Sequence, residues 1–446
     1  MKRPAIVFGF LFAFFPSTSI SQEENTSSVS IEADTLPHVQ ESTQQIQVQQ
    51  HRPEQYDSHG GEYVDLSGEE VESLREESSA HVLARPWYRN IEISGFIGAG
   101  FLDTGKRGTR PEGGFLIKEA SLFLEADVWT DATFYVEVQA NRLGEDSTLS
   151  IRTGEVYVHF RHILSKRGDG LLGMKVGRID IPFGEEYLWQ DASDNPLISN
   201  SAPYPYGWDE GILLYGGISG VRWILAIADG TLKRSIEDHP SKAVNLKVYG
   251  NLWERFYLSA SLMGNGMSGR SAIEFGGSHF EPVGANHKSS SGSSSNEKVR
   301  ANLYEIDAKY DLGEFPQHSY ILSSFGRAFL KDREETFSRE WSWFSIEPSF
   351  RITQESYVVA RYSEIGTYSS QEGYHFDGKT TAGGGAFGYD TKRFRRLSLG
   401  WGWRPNPRLM VKVEIGRDWY YLIDSSPFDP GNGDRNLFGI ELAAVF

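Results

Sequence analysis

Residues 120–129 read ASLFLEADVW, with Ala120, Leu122, Leu124, Ala126 and Val128 alternating against Ser121, Phe123, Glu125 and Asp127. Successive side chains of a strand point to opposite faces, so one face of this segment is wholly apolar and the other is largely polar. A run of about ten residues patterned this way is what a tilted strand needs to cross a membrane with lipid on one side and water on the other. The rhythm returns along the chain. Phe134, Val136 and Val138 alternate with Tyr135, Glu137 and Gln139, and Val156, Val158 and Phe160 with Glu155, Tyr157 and His159. Val244, Leu246 and Val248 flank Asn245 and Lys247, while Val411, Val413 and Ile415 flank Lys412 and Glu414.

Working outward, sixteen segments of this kind are predicted, near 91–102, 115–128, 133–141, 154–162, 172–183, 210–217, 221–229, 243–250, 256–264, 301–310, 319–329, 341–350, 356–364, 395–403, 409–417 and 436–446. An even number is what single-chain bacterial barrels require. The predicted fold class is therefore all-β, a transmembrane antiparallel β-barrel of about 16 strands. The connections agree, because such barrels alternate short periplasmic turns with longer external loops. The pieces after strands two, six, twelve and fourteen are brief (129–132, 218–220, 351–355 and 404–408), whereas 184–209, 265–300 and 365–394 are long. Trp129, Trp253, Trp341, Trp401 and Trp403 fall near predicted strand ends, where aromatic girdles mark the lipid interface.

Upstream of this pattern the composition changes. Residues 1–21 read as a secretory signal, with Lys2 and Arg3 before a short apolar run from Ala5 to Phe15. That run is too short for a spanning helix. Residues 22–85 hold fourteen Asp or Glu against Arg52, Arg75 and Arg85, so this stretch carries most of the formal charge of −16. It lacks the apolar content to fold alone and is expected to be a disordered acidic periplasmic linker. Gly68–Ser79 offers a short helix with only Val71 and Leu74 as apolar positions, too few for heptads. Residues 86–446 are then the barrel. No segment concentrates positive charge, so nucleic acid is not an expected partner. With no cysteine in the chain, disulfide frameworks and thiolate chemistry are excluded.

Other chemistry finds little support. A barrel hydrolase would need a serine, a histidine and an orienting group at one rim, yet His159, His162, His279, His287 and His375 are scattered and no G-x-S-x-G elbow occurs. Asp424, Asp429 and Asp434 lack the spacing of a calcium loop. No catalytic residue, metal ligand or cofactor is expected.

The last strand places Phe438, Ile440, Leu442, Ala444 and Phe446 on one face against Gly439, Glu441 and Ala443. It resembles the terminal strand read by the outer-membrane barrel assembly machinery, with Phe446 as the assembly signal. Two further segments resemble the phosphate-selective porin family of the O and P type, over roughly residues 91–446. They are GMKVGRIDIPFGEE, with Gly177, Arg178, Pro182, Phe183, Gly184 and Glu186, and the hairpin WDEGILLYGG followed by VRWILAIADG, ending on Asp229 and Gly230. The resemblance implies a sixteen-stranded homotrimeric porin of the outer membrane of a diderm bacterium, whose third external loop folds into the lumen.

Here that loop is 184–209, and it is acidic. Between Arg178 and Arg222 there is no Lys or Arg, while Glu185, Glu186, Asp191, Asp194, Asp209 and Glu210 are expected at the constriction. Basic pore-lining candidates are Lys175, Arg222, Lys247, Lys309, Arg361, Arg396 and Lys412, sharing their faces with Glu125, Asp127, Glu137, Glu155, Glu305, Asp307, Glu414 and Glu441. Charges at the narrowest passage set ion preference. The expected function is passive diffusion of small hydrophilic solutes and ions, non-specific or weakly cation-preferring. The alternatives are a phosphate- or anion-selective porin and, in another class, a barrel-based lipid hydrolase or an adhesin or receptor.

Overall fold

The computed structural model describes residues 91–105, 112–129, 131–141, 150–161, 163, 172–189, 191–201, 205–218, 220–230, 242–268, 274–275, 298–313, 319–332, 338–367, 391–422 and 434–446. The predicted signal, acidic linker and short helix lie outside the described residues, as do most of the long loops.

The barrel strands, in chain order, are β1 Ile91–Asp103, β2 Gly114–Trp129, β3 Ala132–Asn141, β4 Ser150–Phe160, β5 Gly173–Asp180, β6 Trp208–Ile218, β7 Val221–Ala228 and β8 Ala243–Trp253. The second half comprises β9 Phe256–Ser268, β10 Lys298–Asp311, β11 Tyr320–Asp332, β12 Ser338–Arg351, β13 Ser356–Thr367, β14 Thr391–Asn406, β15 Leu409–Leu422 and β16 Arg435–Val445. Each pairs antiparallel with its sequence neighbours, and β1 pairs with β16, which closes a sixteen-stranded barrel. A closed barrel leaves no strand edge unpaired, the condition for crossing hydrocarbon with strands. Among the described residues no helix is long and apolar enough to cross a membrane.

The alternation read in the sequence is the alternation of the wall. In β8, Ala243, Asn245, Lys247 and Tyr249 are buried toward the lumen, while Val244, Leu246 and Val248 are exposed outward. Outward Ile212, Ile306, Phe325, Leu399, Ile415 and Leu442 repeat this around the ring. So much exposed apolar surface belongs in lipid. The barrel is of outer-membrane type, with the short connections 130–131, 219–220, 254–255, 352–355 and 407–408 at the end where the chain enters β1. Trp129, Trp253, Trp401 and Trp403 are exposed on or near that end, as expected of an aromatic girdle. Trp341 is not part of it. It shares the inward side of β12 with Trp343 and is 2% exposed, because its position in the two-residue repeat turns it into the lumen.

The seam between first and last strands is sealed by the final residue. Gly95 N–H donates to the Phe446 carbonyl at 3.1 Å, and Phe446 N–H to the Gly95 carbonyl at 3.0 Å. A Cβ at Gly95 would stand 2.7 Å from the Phe446 ring, so only glycine lets that ring lie across β1.

Candidate functional site

In the connection from β5 to β6, residues 181–189 and 191–201 leave the wall and run through the lumen. Ladder pairing stops at Asp180, and Ile181 N–H donates to the Gly207 carbonyl at 3.1 Å, which closes the base of the loop. Pro182, which has no N–H to offer a ladder, follows at once. Phe183 is buried with its ring centroid 6.4 Å from that of Trp343, whose indole N–H donates to Glu305 at 2.7 Å. Gly184 adopts φ +72°, and a Cβ there would meet a Glu305 oxygen at 2.2 Å, so this position requires glycine on both counts.

From this point the loop is fastened mainly through its backbone. Lys247 Nζ donates to the Gly184 carbonyl at 2.6 Å. Glu185 pairs with Lys247 at 2.8 Å and accepts from the Tyr257 hydroxyl at 2.6 Å. After a 3-10 turn at Glu186–Trp189, Lys412 Nζ donates to the carbonyls of Ala192, Asn195 and Leu197, at 2.8, 3.2 and 3.2 Å. Arg404 donates to Ser193 at 2.7 Å, Tyr357 to Pro196 at 2.9 Å and Lys118 to Ile198 at 2.6 Å. Arg361 reaches the Ser199 carbonyl at 2.8 Å and Arg396 the Asn200 carbonyl at 3.1 Å. In the opposite sense, Glu414 accepts the N–H groups of Ile198 and Ser199 at 2.6 and 2.7 Å. Ala192 packs on Phe96, Met410 and Ala443.

The fastening groups come from β8 and β9 at the start of the loop and, beyond Trp189, from β2 and from β13 to β15, and β13 and β14 stand eight strands from β5 and β6 in a ring of sixteen. The loop is therefore a strap across the lumen. Four of its anchors are deeply buried, with side-chain exposures of 1% for Lys247, 1% for Lys412, 3% for Arg361 and 8% for Arg396. Each is also neutralised by a carboxylate of the wall or the strap: Arg361 by Glu347 at 2.5 Å and Glu186 at 3.6 Å, Arg396 by Asp418 through two bonds of 2.8 and 3.0 Å, and Lys412 by Glu441. Paired, hydrogen-bonded charges of this kind resist separation, because either partner alone would be a buried bare charge.

The strap acids divide accordingly. Glu185 and Glu186 hold the strap, Glu186 accepting from Ser201 N–H at 2.7 Å and from its hydroxyl. Burial pushes the Glu186 carboxyl above its ordinary range, with Arg361 and Ser201 pulling back. Tyr187 is pushed well above its usual value by burial and by the Glu185 charge. Asp191 is half-buried and close enough to Glu119 and Glu137 to feel their charge, and Asp194 accepts from Ser193 at 3.2 Å. Asp209 and Glu210 belong to β6 and not to the loop. Asp209 is buried, accepting from Gly230 N–H at 2.5 Å, so it ties the β7 exit to β6. Glu210 shares the side of Ile212 and Leu214, away from the lumen, and pairs with Arg178 at 2.7 Å.

All seven predicted basic residues occupy inward positions, but four of them, Lys247, Arg361, Arg396 and Lys412, are anchors. Lys309 lies 5.0 Å from the Tyr320 ring. Lys175, bonded to the Tyr157 hydroxyl at 3.1 Å, and Arg222 are half-buried on the other side of the lumen. That side, from β2 to β9, is aromatic: Phe123, Tyr135 and Tyr157 stack with ring centroids 6.0 and 4.8 Å apart, and Tyr249 stands 6.2 Å from Tyr257. His159 bonds the Tyr215 hydroxyl at 2.5 Å within this wall.

Two anchors escaped the sequence reading. Lys118 follows the outward phase of Ala120 and Leu122, but a bulge opposite Gly98 and Ala99 leaves it unpaired and turns it inward. Arg404 shares the inward phase of Arg396, a visible signal hidden by placing it in the RPNPR turn.

No protein-family model and no curated protein matches the chain. Its fold does match solved outer-membrane barrels. OmpT of Vibrio cholerae, as a loop L8 deletion mutant, is 12% identical with a TM-score of 0.53, over 80% of this chain and 99% of that one. The trimer form of OmpT gives 10% and 0.54 over 80% and 99%, and the outer membrane channel DcaP of Acinetobacter baumannii 10% and 0.52 over 80% and 97%. The likeness is one of fold.

Proposed function

We propose that the barrel is a porin, giving passive diffusion across the outer membrane to small hydrophilic solutes and ions, non-specific or weakly cation-preferring, and working as a homotrimer. The observation that carries this reading is the strap. A loop fastened across the lumen from β5 to β13–β15 sets the width of any path through the barrel, as an aqueous channel of limited size requires. The ion preference follows from what the fastening leaves over. Most of the basic wall faces strap carbonyls and carboxylates, so it contributes little field to a path. The half-buried inward groups on the opposite side are mixed, with Glu119, Glu125, Glu155 and Asp191 beside Arg152, Lys175 and Arg222. The motifs around Pro182–Gly184 and Asp229–Gly230 support kinship with phosphate-selective porins, and Arg152, Lys175 and Arg222 favour an anion-preferring path as the second reading.

Zero-current potentials in a potassium chloride gradient across planar bilayers decide between them. A small potential of cationic sign is expected, and Lys175→Glu with Arg222→Glu should move it further the same way. A strong anionic potential that collapses in this double variant would establish the second reading instead.

A further inference from the structure

The outer surface carries a second set of arginines, at the long-loop end of β14 and β15. Arg395 follows the outward phase of Leu397 and Leu399, and Arg393 stands two positions nearer the loop on the same side. On β15, Arg417, Trp419 and Tyr421 also face outward, opposite Leu397, Arg395 and Arg393 respectively. These arginines keep solvent access, with side-chain exposures of 45% for Arg393, 31% for Arg395 and 54% for Arg417. Among the described residues, two carboxylates serve the three of them. Glu364 is shared by Arg393 at 3.1 Å and Arg395 at 2.8 Å, and Asp434 takes Arg417 at 2.9 Å. Arg395 also donates to the Tyr421 hydroxyl at 3.1 Å and lies 5.0 Å from its ring. Arg393 meets Glu364 through Nε and is nearly half exposed.

The level of this cluster follows from the strand beneath it. Below Arg395 the outward residues of β14 are Leu397, Leu399, Trp401 and Trp403, all exposed. Eight residues of tilted strand rise on the order of 20 Å, close to the height of the apolar band of such barrels. With the tryptophans at the short-turn interface, the arginines fall at the headgroup level of the opposite, external leaflet. Outward Arg178, on the far side of the barrel, differs: it is 15% exposed and closed by Glu210 at 2.7 Å.

We propose that Arg393, Arg395 and Arg417 form a docking site for the phosphate-bearing headgroup of an outer-leaflet lipid. Guanidinium forks match phosphate oxygens in pairs, and the shared carboxylate leaves donors and net positive charge for them. The acyl chains of such a lipid would lie on Leu397, Leu399 and Ile415 directly below. Charge complementarity together with the continuous apolar stave points to a lipid and not to a free anion.

The test is native mass spectrometry of the purified full chain in detergent, offered a bis-phosphorylated acylated glucosamine lipid or the same lipid dephosphorylated. Retention of the phosphorylated form is expected to exceed that of the other by about tenfold, a preference that Arg393→Ala, Arg395→Ala and Arg417→Ala together should abolish. Heat-modifiable gel mobility confirms that the variant is folded. Should the triple variant fail that check, Arg417→Ala alone, at the most exposed position, should lower the preference about threefold. Equal retention of both lipids, an unchanged preference in the folded variants, displacement by low-millimolar inorganic phosphate, or a second copy of the chain in place of lipid would each overturn the proposal.

Discussion

Arg395 and Arg396 are consecutive in β14, yet one belongs to the outer rim and the other to the strap. Arg396 is closed by both oxygens of Asp418, a fully buried carboxylate, and spends a remaining donor on the Asn200 carbonyl. Arg395 sits in an open cluster with a shared acid and a tyrosine. The same side chain thus does two physical jobs, set only by which way the pleat turns it. Inside, low dielectric and exact pairing make the charge structural, whereas outside, screening makes it cheap to move and available to partners.

The largest effect should come from breaking the inner member. Arg396→Ala takes from the buried Asp418 both bonds of its guanidinium partner, and urea titration of the folded barrel in detergent should show about 3–5 kcal/mol of lost stability. A loss under about 1 kcal/mol would mean that water reaches Asp418 and that the inner pair is no different from the outer one. Next comes Glu414→Gln, which keeps the side chain's shape but weakens its hold on Ile198 and Ser199. Single-channel recordings should show a larger or noisier conductance with the fold retained, and an unaltered trace would detach the strap from control of the path. Smallest is Arg395→Ala, for which the same urea titration should move by about 0–1 kcal/mol, as exposed ion pairs do.

The fold was legible because the strands keep one rule of alternation through the membrane band, broken only locally by bulges such as that at Lys118, and lipid outside with polar groups inside leaves no other phase for it. The differences are at strand ends: β14 runs to Thr391 and β9 to Ser268, beyond the membrane band, where alternation no longer has to separate lipid from water. The site was half legible. That an acidic loop follows the Pro182–Gly184 turn, and that basic residues face inward, could both be read from the residues. That the two neutralise each other depends on strand heights and on backbone carbonyls, which side-chain patterns do not encode. A one-residue bulge hides Lys118, and Glu210, which adjoins the acidic loop in sequence, has the phase of outward Ile212.

The strap is gripped chiefly by its main chain: the carbonyls of Gly184, Ala192, Ser193, Asn195, Leu197, Ile198, Ser199 and Asn200 receive the cations. Peptide oxygens are the same whatever residue carries them. Side chains along this segment that do not serve as fasteners are therefore free to drift over evolutionary time without loosening it, so what the passage admits can be retuned while the beam across it stays put.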